Sequence, residues 1–244
     1  MEIIFCDSYD ALSEMVAAEV ARLASASPKP LICPASGDTP AGLYRELVKQ
    51  SGERQVDVSG WRFVGLDEWV GLNGEDEGSC RYSINAELFH PLDVQPNHIF
   101  FFDGKAQDLE NECRMAEAFI KTHNGIDVAI LGLGMNGHIA MNEPWCEPQG
   151  RAQVVPLHPV TKEVGQKYFS QPRELNEGIT LGMGTLMESK HIILMVSGEH
   201  KAGIVKRLLE GPVTNELPGS LLLRHPSVKI FLDAGAASQL SKNT

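Results

Sequence analysis

IDVAILGLGMNGHIAMNEP, residues 126–144, is an apolar run that passes directly into a loop of glycine and polar residues. The apolar part has the length and the branched side chains of a buried strand. The Asn136-Gly137 pair is a strong turn signal, and no helical pattern follows it directly. His138 and Glu143 therefore lie just beyond a strand, where parallel α/β sheets bind their ligands.

Strand-like and helix-like segments alternate on both sides of this stretch. The predicted strands are 2–5, 30–33, 61–66, 98–102, 126–133, 191–197 and 228–233, with 178–183 extended. The predicted helices are 9–24, 41–50, a helix containing 83–89, 108–123, 160–169 and 201–210. Asp7 or Ser8 can cap the first helix, and Pro40 fits the first position of the second.

This alternation predicts the fold class. Repeated βα units imply a mainly parallel sheet covered by helices on both faces. No linker-like segment interrupts the chain. We therefore expect an α/β protein with a single-domain, three-layer, Rossmann-like fold over residues 1–244.

The composition excludes several classes of protein. No segment approaches the ~18 uninterrupted apolar residues of a membrane span, and the N-terminus lacks the features of a secretory signal. A net charge of −11 argues against nucleic acid and anionic membranes as partners. A small anionic ligand would instead need local donors, such as lysines, backbone N–H groups and helix N-termini.

The cysteines indicate a reducing compartment. Their number is odd and they are scattered, with no CxxC pair. This pattern predicts free thiols in the cytoplasm and argues against a zinc site. We expect all of them to serve in packing: Cys6, Cys33, Cys80, Cys113 and Cys146.

A second strand end carries hydroxyls and glycine. PASGDTP (34–40) connects the strand at 30–33 to a helix, so Ser36, Gly37 and Thr39 would face the crevice at a positive helix end. This arrangement suits a phosphate. An ordinary strand–helix turn with a Ser or Thr cap explains the same residues.

A third strand end carries two adjacent acids, Asp67 and Glu68, in GLDEWVGL (65–72). Neighbouring residues on an extended chain point to opposite sides, so only one acid faces the crevice readily. A carboxylate that is partly removed from water there is a candidate general base. The alternative is a solvated acidic loop.

His138 is the most informative single residue. A histidine held by a nearby carboxylate, here Glu143, can transfer protons near neutral pH. The alternative is a histidine satisfied by a backbone carbonyl, but two glycines, a carboxylate and a strand end coincide here. The segment GLGMNG lacks GxGxxG spacing and no helix follows it, so we set a dinucleotide site aside.

Five motifs together resemble the glucosamine-6-phosphate deaminase/isomerase family, which shares its fold with 6-phosphogluconolactonases. They are SGDTP, LDEWVGL, GHIAMNEP, ITLGMGTL and SGEHKA, and the similarity covers nearly the whole chain. DEW together with GHIAMNEP is a specific combination, because the lactonase branch typically lacks Asn-Glu-Pro after its Gly-His.

The resemblance implies a role for each matching residue. Asp67 matches the base that moves a proton between C2 and C1 of the sugar. His138 matches the residue that promotes opening of the pyranose ring, and Glu143 matches the carboxylate that holds it. Ser36, Gly37 and Thr39 match the phosphate loop, and the remaining phosphate ligands implied are Lys201 and Lys162.

The chain also departs from the family pattern. Asn136 stands where an aspartate is usual in the glucosamine enzymes, and galactosamine-6-phosphate isomerase relatives look similar here. Asp38 places a carboxylate in the phosphate loop, so it must point away from a phosphate or be paired. Lys162 replaces an arginine, which keeps the charge and loses the bidentate fork. The chain lacks the longer C-terminal tail of allosteric members, which implies no allosteric control.

The resemblance implies aldose–ketose isomerisation with deamination of glucosamine 6-phosphate or galactosamine 6-phosphate. No metal and no cofactor are expected, the partner is a small sugar phosphate, and a homo-oligomer is left open. Two alternatives remain. One is a phosphosugar lactonase, which the Asn-Glu-Pro sequence disfavours. The other is a sugar-phosphate-binding regulator that has lost catalysis, which Asn136 keeps open.

Overall fold

A seven-stranded sheet runs through the middle of the molecule. The computed structural model describes residues 1–241. The strands are β1 (Glu2–Cys6), β2 (Leu31–Cys33), β3 (Arg62–Val64), β5 (Ile99–Phe100), β6 (Val128–Leu131), β9 (His191–Val196) and β10 (Val228–Asp233). Their order is β1-β10-β9-β6-β2-β3-β5, and every pairing is parallel. The predicted parallel sheet is confirmed.

Helices connect these strands. They are α1 (Tyr9–Ala24), α2 (Asp38–Gly52), α3 (Cys80–Ile84), α4 (Leu109–Thr122), α5 (Pro159–Gly165), α6 (Met183–Met187), α7 (Ala202–Glu210) and α8 (Pro218–Leu221). A π-helical turn, Asn85–Phe89, continues α3, and a 3₁₀ turn, Gln166–Tyr168, continues α5. Ser8 caps α1, because its hydroxyl accepts the N–H of Ala11 at 3.1 Å.

The two faces of the sheet are both covered, because successive strand residues point to opposite sides. Ile32 of β2 packs in an apolar cluster with Leu43 of α2. Leu31, its neighbour, packs in a second cluster with Ala116 of α4 and Val205 of α7. All five side chains are at most 1% exposed. The predicted three-layer arrangement is therefore confirmed.

A smaller antiparallel sheet lies beside the main one. It consists of β4 (Asp67–Trp69), β8 (Glu177–Thr180) and β7 (Gln153–Pro156), with β8 in the centre. The sequence analysis placed the two acids of β4 directly after a strand, on extended chain, with a solvated acidic loop as the alternative. It assigned no strand at β7. Both strands are too short for an alternating pattern to reveal, and they are ordered by pairing with β8.

Two predicted boundaries were wrong. Helix α2 begins at Asp38, so Pro40 occupies its third position rather than its first. Pro40 fits there because the first N–H groups of a helix have no partner within the helix. The helix begins early because Gly37, with φ of 107°, takes the cap position that a side chain would strain. Met183, predicted to be extended, begins α6.

The strand order places a crevice at the middle of the sheet. From β2 the chain proceeds through β3 to β5 at one edge, then returns to β6 and continues to β9 and β10. The direction of winding therefore reverses between β2 and β6. Ligands bind at such a reversal, beyond the carboxyl ends of the strands.

Two further findings concern the chain as a whole. All five cysteines are free, and four of them are buried. Over residues 1–241, no helix combines the length and the apolar character that crossing a bilayer requires.

Candidate active site

A cavity of about 590 Å³ opens where the winding reverses. Its walls come from the loops that follow β2, β6 and β9, together with β4 and α5. Most of the site residues predicted from the sequence line it: Ser36, Gly37, Asp38, Thr39, Asp67, His138 and Lys201. Asn136, Glu143 and Lys162 are not part of its wall.

Asp67 is a buried carboxylic acid on the cavity wall. Its first position in β4, paired with Thr180 of β8, leaves it 8% exposed. Burial, with a further contribution from the neighbouring carboxylate of Glu68, raises the pKa of Asp67 from 3.8 to about 7. A group with this pKa can accept and return a proton near neutral pH.

Glu68 points away from the cavity and holds β4 in place. Its carboxylate is 0% exposed and accepts hydrogen bonds from the Ser79 hydroxyl at 2.8 Å and from the N–H groups of Trp69, Cys80 and Arg81 at 2.9 to 3.0 Å. Burial raises the pKa of Glu68, and these hydrogen bonds oppose the rise. Glu68 thus ties β4 to the N-terminus of α3 and fixes the position of Asp67.

His138 is held through its Nδ1 atom. Nδ1 lies 3.4 Å from Glu143 Oε2 and 3.1 Å from Thr161 Oγ1. Burial raises the pKa of Glu143, but hydrogen bonds from His138, Thr161 and Asn136 outweigh it and bring the pKa to about 2. Glu143 therefore stays ionised at neutral pH. With Nδ1 engaged in this way, Nε2 is the ring nitrogen left for a ligand.

The glycine loop packs tightly around this imidazole. A Cβ atom at Gly134 would lie 2.3 Å from His138 Nε2, so a larger residue would displace the ring. Gly137 completes the turn with φ of 86°, a conformation that strains other residues. Steric requirements at positions 134 and 137 therefore explain why the predicted turn between the strand and the histidine contains glycines.

Asn136 forms hydrogen bonds with Glu143 and with the backbone of His138. Its amide nitrogen donates to Glu143 Oε2 at 2.9 Å, and its Oδ1 accepts the backbone N–H of His138 at 3.2 Å. Glu143 Oε1 accepts the N–H of His158 at 3.1 Å, so both of its oxygens are engaged. Asn136 contacts the residues that position His138.

The loop after β2 ends at the N-terminus of α2. Gly37 caps this helix, and no side chain accepts its first N–H groups. The Tyr9 hydroxyl fixes the first turn, since it accepts the N–H of Gly42 at 2.8 Å and donates to the carbonyl oxygen of Asp38 at 3.0 Å. A helix N-terminus that opens onto a cavity favours an anionic ligand.

Lys201 lies beyond the end of β9. Its ammonium donates to the carbonyl oxygen of Leu133 at 2.6 Å. Burial, with a further contribution from the charge of Lys167, lowers the pKa of Lys201 from 10.5 to about 8. An anion bound nearby would restore the charged form.

Lys162 does not reach the cavity, in contrast to the sequence prediction. Its ammonium lies 3.5 Å from Asn176 Oδ1, whereas Lys167 lines the cavity. Helical spacing explains the difference, because Val160 and Val164 share the cavity-facing side with Lys167 and residue 162 lies off that side.

Sequence reasoning missed several polar residues of the cavity, of which Thr161 and Lys167 contact predicted site residues. Both lie in the segment in which the resemblance pointed to Lys162, and no motif marked either of them. The spacing of 160, 164 and 167 along one helical face was the available signal for Lys167. Nothing in the sequence indicated that Thr161 would contact a histidine 23 residues away.

Known proteins are similar to this chain over nearly its whole length. It is 36% identical to a glucosamine-6-phosphate deaminase of Bacillus velezensis, covering 97% of this chain and 99% of that protein. It is 34% identical to glucosamine-6-phosphate deaminase 1 of Bacillus subtilis, covering 98% and 99%.

Solved structures are similar as well. One, described as a monomeric glucosamine-6-phosphate deaminase, matches with a TM-score of 0.94 at 34% identity, over 98% of this chain and 99% of that one. A 6-phosphogluconolactonase from Shewanella baltica matches with a TM-score of 0.76 at 20% identity, over 96% and 98%, which shows a shared fold. The profile of the glucosamine-6-phosphate isomerases/6-phosphogluconolactonase family matches residues 7–231. The predicted resemblance is confirmed, and the chain belongs to this family.

Proposed function

We propose that this protein isomerises and deaminates a 2-amino-2-deoxyhexose 6-phosphate, giving a ketohexose 6-phosphate and ammonia. One observation carries the proposal: two groups suited to proton transfer line the same cavity as a helix N-terminus that favours anions. The two groups are Asp67, with its raised pKa, and His138, held by an ionised Glu143. The names of the full-length relatives support the same activity.

The first chemical step is ring opening, because a closed pyranose has no carbonyl at C1 and its C2 proton is not acidic. His138 delivers a proton to the ring oxygen and takes one from the C1 hydroxyl. Glu143, ionised and hydrogen-bonded to Nδ1, stabilises the imidazolium that forms in between.

The second step is proton transfer at the open chain. Asp67 in its ionised form removes the C2 proton while O1 gains a proton, which gives an enolamine. Asp67 then returns the proton to C1, so that an iminium forms at C2. Water adds to this carbon, and the C2–N bond breaks to leave the ketone and ammonia. A carboxylate with pKa of about 7 suits both directions of the transfer.

The phosphate lies at the opposite end of the substrate. We infer that the loop of Ser36, Gly37 and Thr39 binds it with the N-terminus of α2, together with Lys201. We assign the remaining cationic contact to Lys167, in place of the Lys162 that the sequence suggested, because Lys167 lines the cavity.

Asn136 does not argue for a regulator without catalysis. The general acid and base are His138 and Asp67 in this mechanism, and Asn136 supports His138 through its backbone and through Glu143. An amide can fill that supporting role, because hydrogen bonds to the backbone N–H and to a carboxylate need only an oxygen and an N–H.

Ammonia release tests the proposal. The purified protein is assayed with glucosamine 6-phosphate and galactosamine 6-phosphate side by side, and with 6-phosphogluconolactone as a control. We expect ammonia from at least one amino sugar and no acceleration of lactone hydrolysis. Lactone hydrolysis without ammonia release would favour the lactonase alternative. Binding of the sugar phosphates without turnover of any of the three compounds would favour the regulator.

We further propose a cytoplasmic location, supported by the free cysteines, and a single domain, supported by two apolar clusters that share one sheet. The homo-oligomer that the sequence left open stays a prediction, which light scattering tests.

A further inference from the structure

An ion pair lies across the part of the cavity proposed to bind phosphate. The Lys167 ammonium lies 2.5 Å from Asp38 Oδ2, and both residues line the cavity. Asp38 is the first residue of α2, and Lys167 belongs to the turn that follows α5, so the pair joins two parts of the cavity wall that are 129 residues apart in sequence. The Tyr168 ring lies 4.9 Å from the same ammonium, measured to its centroid.

This carboxylate occupies a position that otherwise favours anions. The N-terminus of α2 and the ammonium of Lys201 both present positive charge to the cavity. Lys167 adds a second cation close enough to Lys201 to disfavour its charged form, and Asp38 opposes that effect. Asp38 thus offsets the repulsion between the two lysines.

A bound phosphate makes the same electrostatic contribution and leaves Asp38 in conflict with it. We propose that Asp38 is an internal substitute for the substrate phosphate: its carboxylate pairs with Lys167 and must release it when a phosphate monoester binds. This inference rests on the proposed sugar-phosphate site. It makes Asp38 a residue that sets affinity, and it answers why an acid is tolerated in this loop.

The pair is accessible enough to exchange. The side chains of Asp38 and Lys167 are 75% and 47% exposed, so each can be solvated when the other leaves. Exposed ion pairs are weak, and their disruption typically changes an equilibrium by about two- to fivefold. We therefore expect Asp38→Asn to tighten phosphate binding about fivefold.

The test uses calorimetric binding of inorganic phosphate to the intact protein, together with KM for the amino sugar phosphate. Asp38→Asn should tighten phosphate binding and lower KM, with the effect on KM rather than on kcat. Glu46→Gln is the matched control, because it removes one negative charge from the same helix outside the cavity, where Glu46 pairs with Lys49 at 3.3 Å. This control should leave phosphate binding unchanged.

A double-mutant cycle with Lys167→Gln tests the mechanism of the effect. If Asp38 acts by occupying Lys167, its substitution should tighten phosphate binding by less than about twofold once Lys167 is absent. An equal gain in both backgrounds would show general repulsion and would overturn the proposal. So would unchanged or weaker phosphate binding by Asp38→Asn alone. Because phosphate binding needs no turnover, the result stands apart from the ammonia assay.

Discussion

Asp67 is buried, yet it must ionise to act as a general base, and burial disfavours the ionised form. Its carboxyl must lose a proton to act as a base, and burial with Glu68 beside it opposes that loss. We expect kcat/KM to fall as the pH decreases through about 7, since the protonated acid cannot accept the C2 proton. A pH–rate profile with its acidic limb below pH 5 would contradict this.

The buried carboxyl of Asp67 should also make the free energy of unfolding depend on pH. The folded-state pKa of Asp67 is raised to about 7 from 3.8, so the folded protein loses stability as the pH rises between these values. An asparagine at this position cannot ionise, so the Asp67→Asn variant does not lose this stability. It should stabilise the protein by an amount that grows from about pH 4 to pH 7 and then levels off at no more than about 4 kcal/mol.

Denaturant unfolding at several pH values checks this expectation. Asp57→Asn is a suitable control, because Asp57 is an exposed carboxylate that lies neither in β4 nor in the cavity. The control should show no gain that grows with pH in this range. If both variants show the same pH dependence, the buried carboxyl of Asp67 is not its source.

His138 should matter more for a closed sugar than for an open one. His138→Gln removes the group that protonates the ring oxygen, so turnover of the cyclic substrate should fall by at least about 10²-fold. An open-chain analogue should lose much less, because it bypasses ring opening. Parallel kinetics on the two substrates measure the ratio, and equal losses on both would remove His138 from the ring-opening step.

Sequence motifs identified the residues whose chemistry is visible in isolation. An acid after a strand and a histidine after a glycine turn are such residues, which is why Asp67 and His138 were named from the sequence. Thr161 and Lys167 gain their importance only from what they contact, namely His138 and Asp38. Sequence spacing carries little information on contacts between distant segments, so Thr161 was missed and Lys162 was named instead of Lys167.

At the scale of elements, β4 is a three-residue strand that depends on contacts outside itself. Glu68→Gln would turn an amide nitrogen toward donors that now point at a carboxylate oxygen. A buried donor–donor clash of this kind costs about 3 kcal/mol, and the shift of β4 should reduce kcat as well. Thermal unfolding and steady-state kinetics measure the two effects.

Ser79→Ala gives a graded comparison for this prediction. It removes one of the four hydrogen bonds to Glu68 and leaves the carboxylate in place. It also removes the cap of α3, where the Ser79 hydroxyl accepts the N–H of Tyr82, so we expect a loss of about 2 kcal/mol. If Glu68→Gln is no more destabilising than Ser79→Ala, the carboxylate is not what anchors β4.

The longer elements followed from hydrophobic periodicity, and the short ones did not. Strand β10 and helix α1 were predicted within a few residues because their patterns extend over whole elements. Strands β4 and β7 are short and were assigned only by the structure. Helix α2 begins at Asp38, three residues before its predicted start. The sequence did not reveal this because the backbone conformation of Gly37, rather than a side chain, caps the helix.

At the scale of the molecule, the parallel sheet accounts for the location of the cavity. The carboxyl ends of β2, β6 and β9 meet at one edge, so three loops that are far apart in sequence share one crevice. The order of strands could not be read from the alternating pattern alone, since many orders satisfy it. The three polar motifs nevertheless indicated that the site lies at this edge of the sheet, because each motif followed a predicted strand.

The protein as a whole should need no metal. Within residues 1–241 no three His, Cys, Asp or Glu side chains form a cluster suited to an ion, and the proposed steps use Asp67, His138 and bound water. Thorough chelation followed by assay in metal-free buffer should leave kcat within experimental error. Loss of activity that one particular divalent ion restores would contradict this.

Exchange of the substrate proton with solvent tests the central claim, that Asp67 transfers a proton between C2 and C1. The reaction is run in deuterium oxide with the wild-type protein and with Asp67→Asn, and NMR follows deuterium at both carbons. Calorimetry with inorganic phosphate verifies that the variant still binds its ligand. We predict incorporation by the wild type and none above background by Asp67→Asn. Exchange by Asp67→Asn at the wild-type rate would show that another group is the base and would contradict the mechanism.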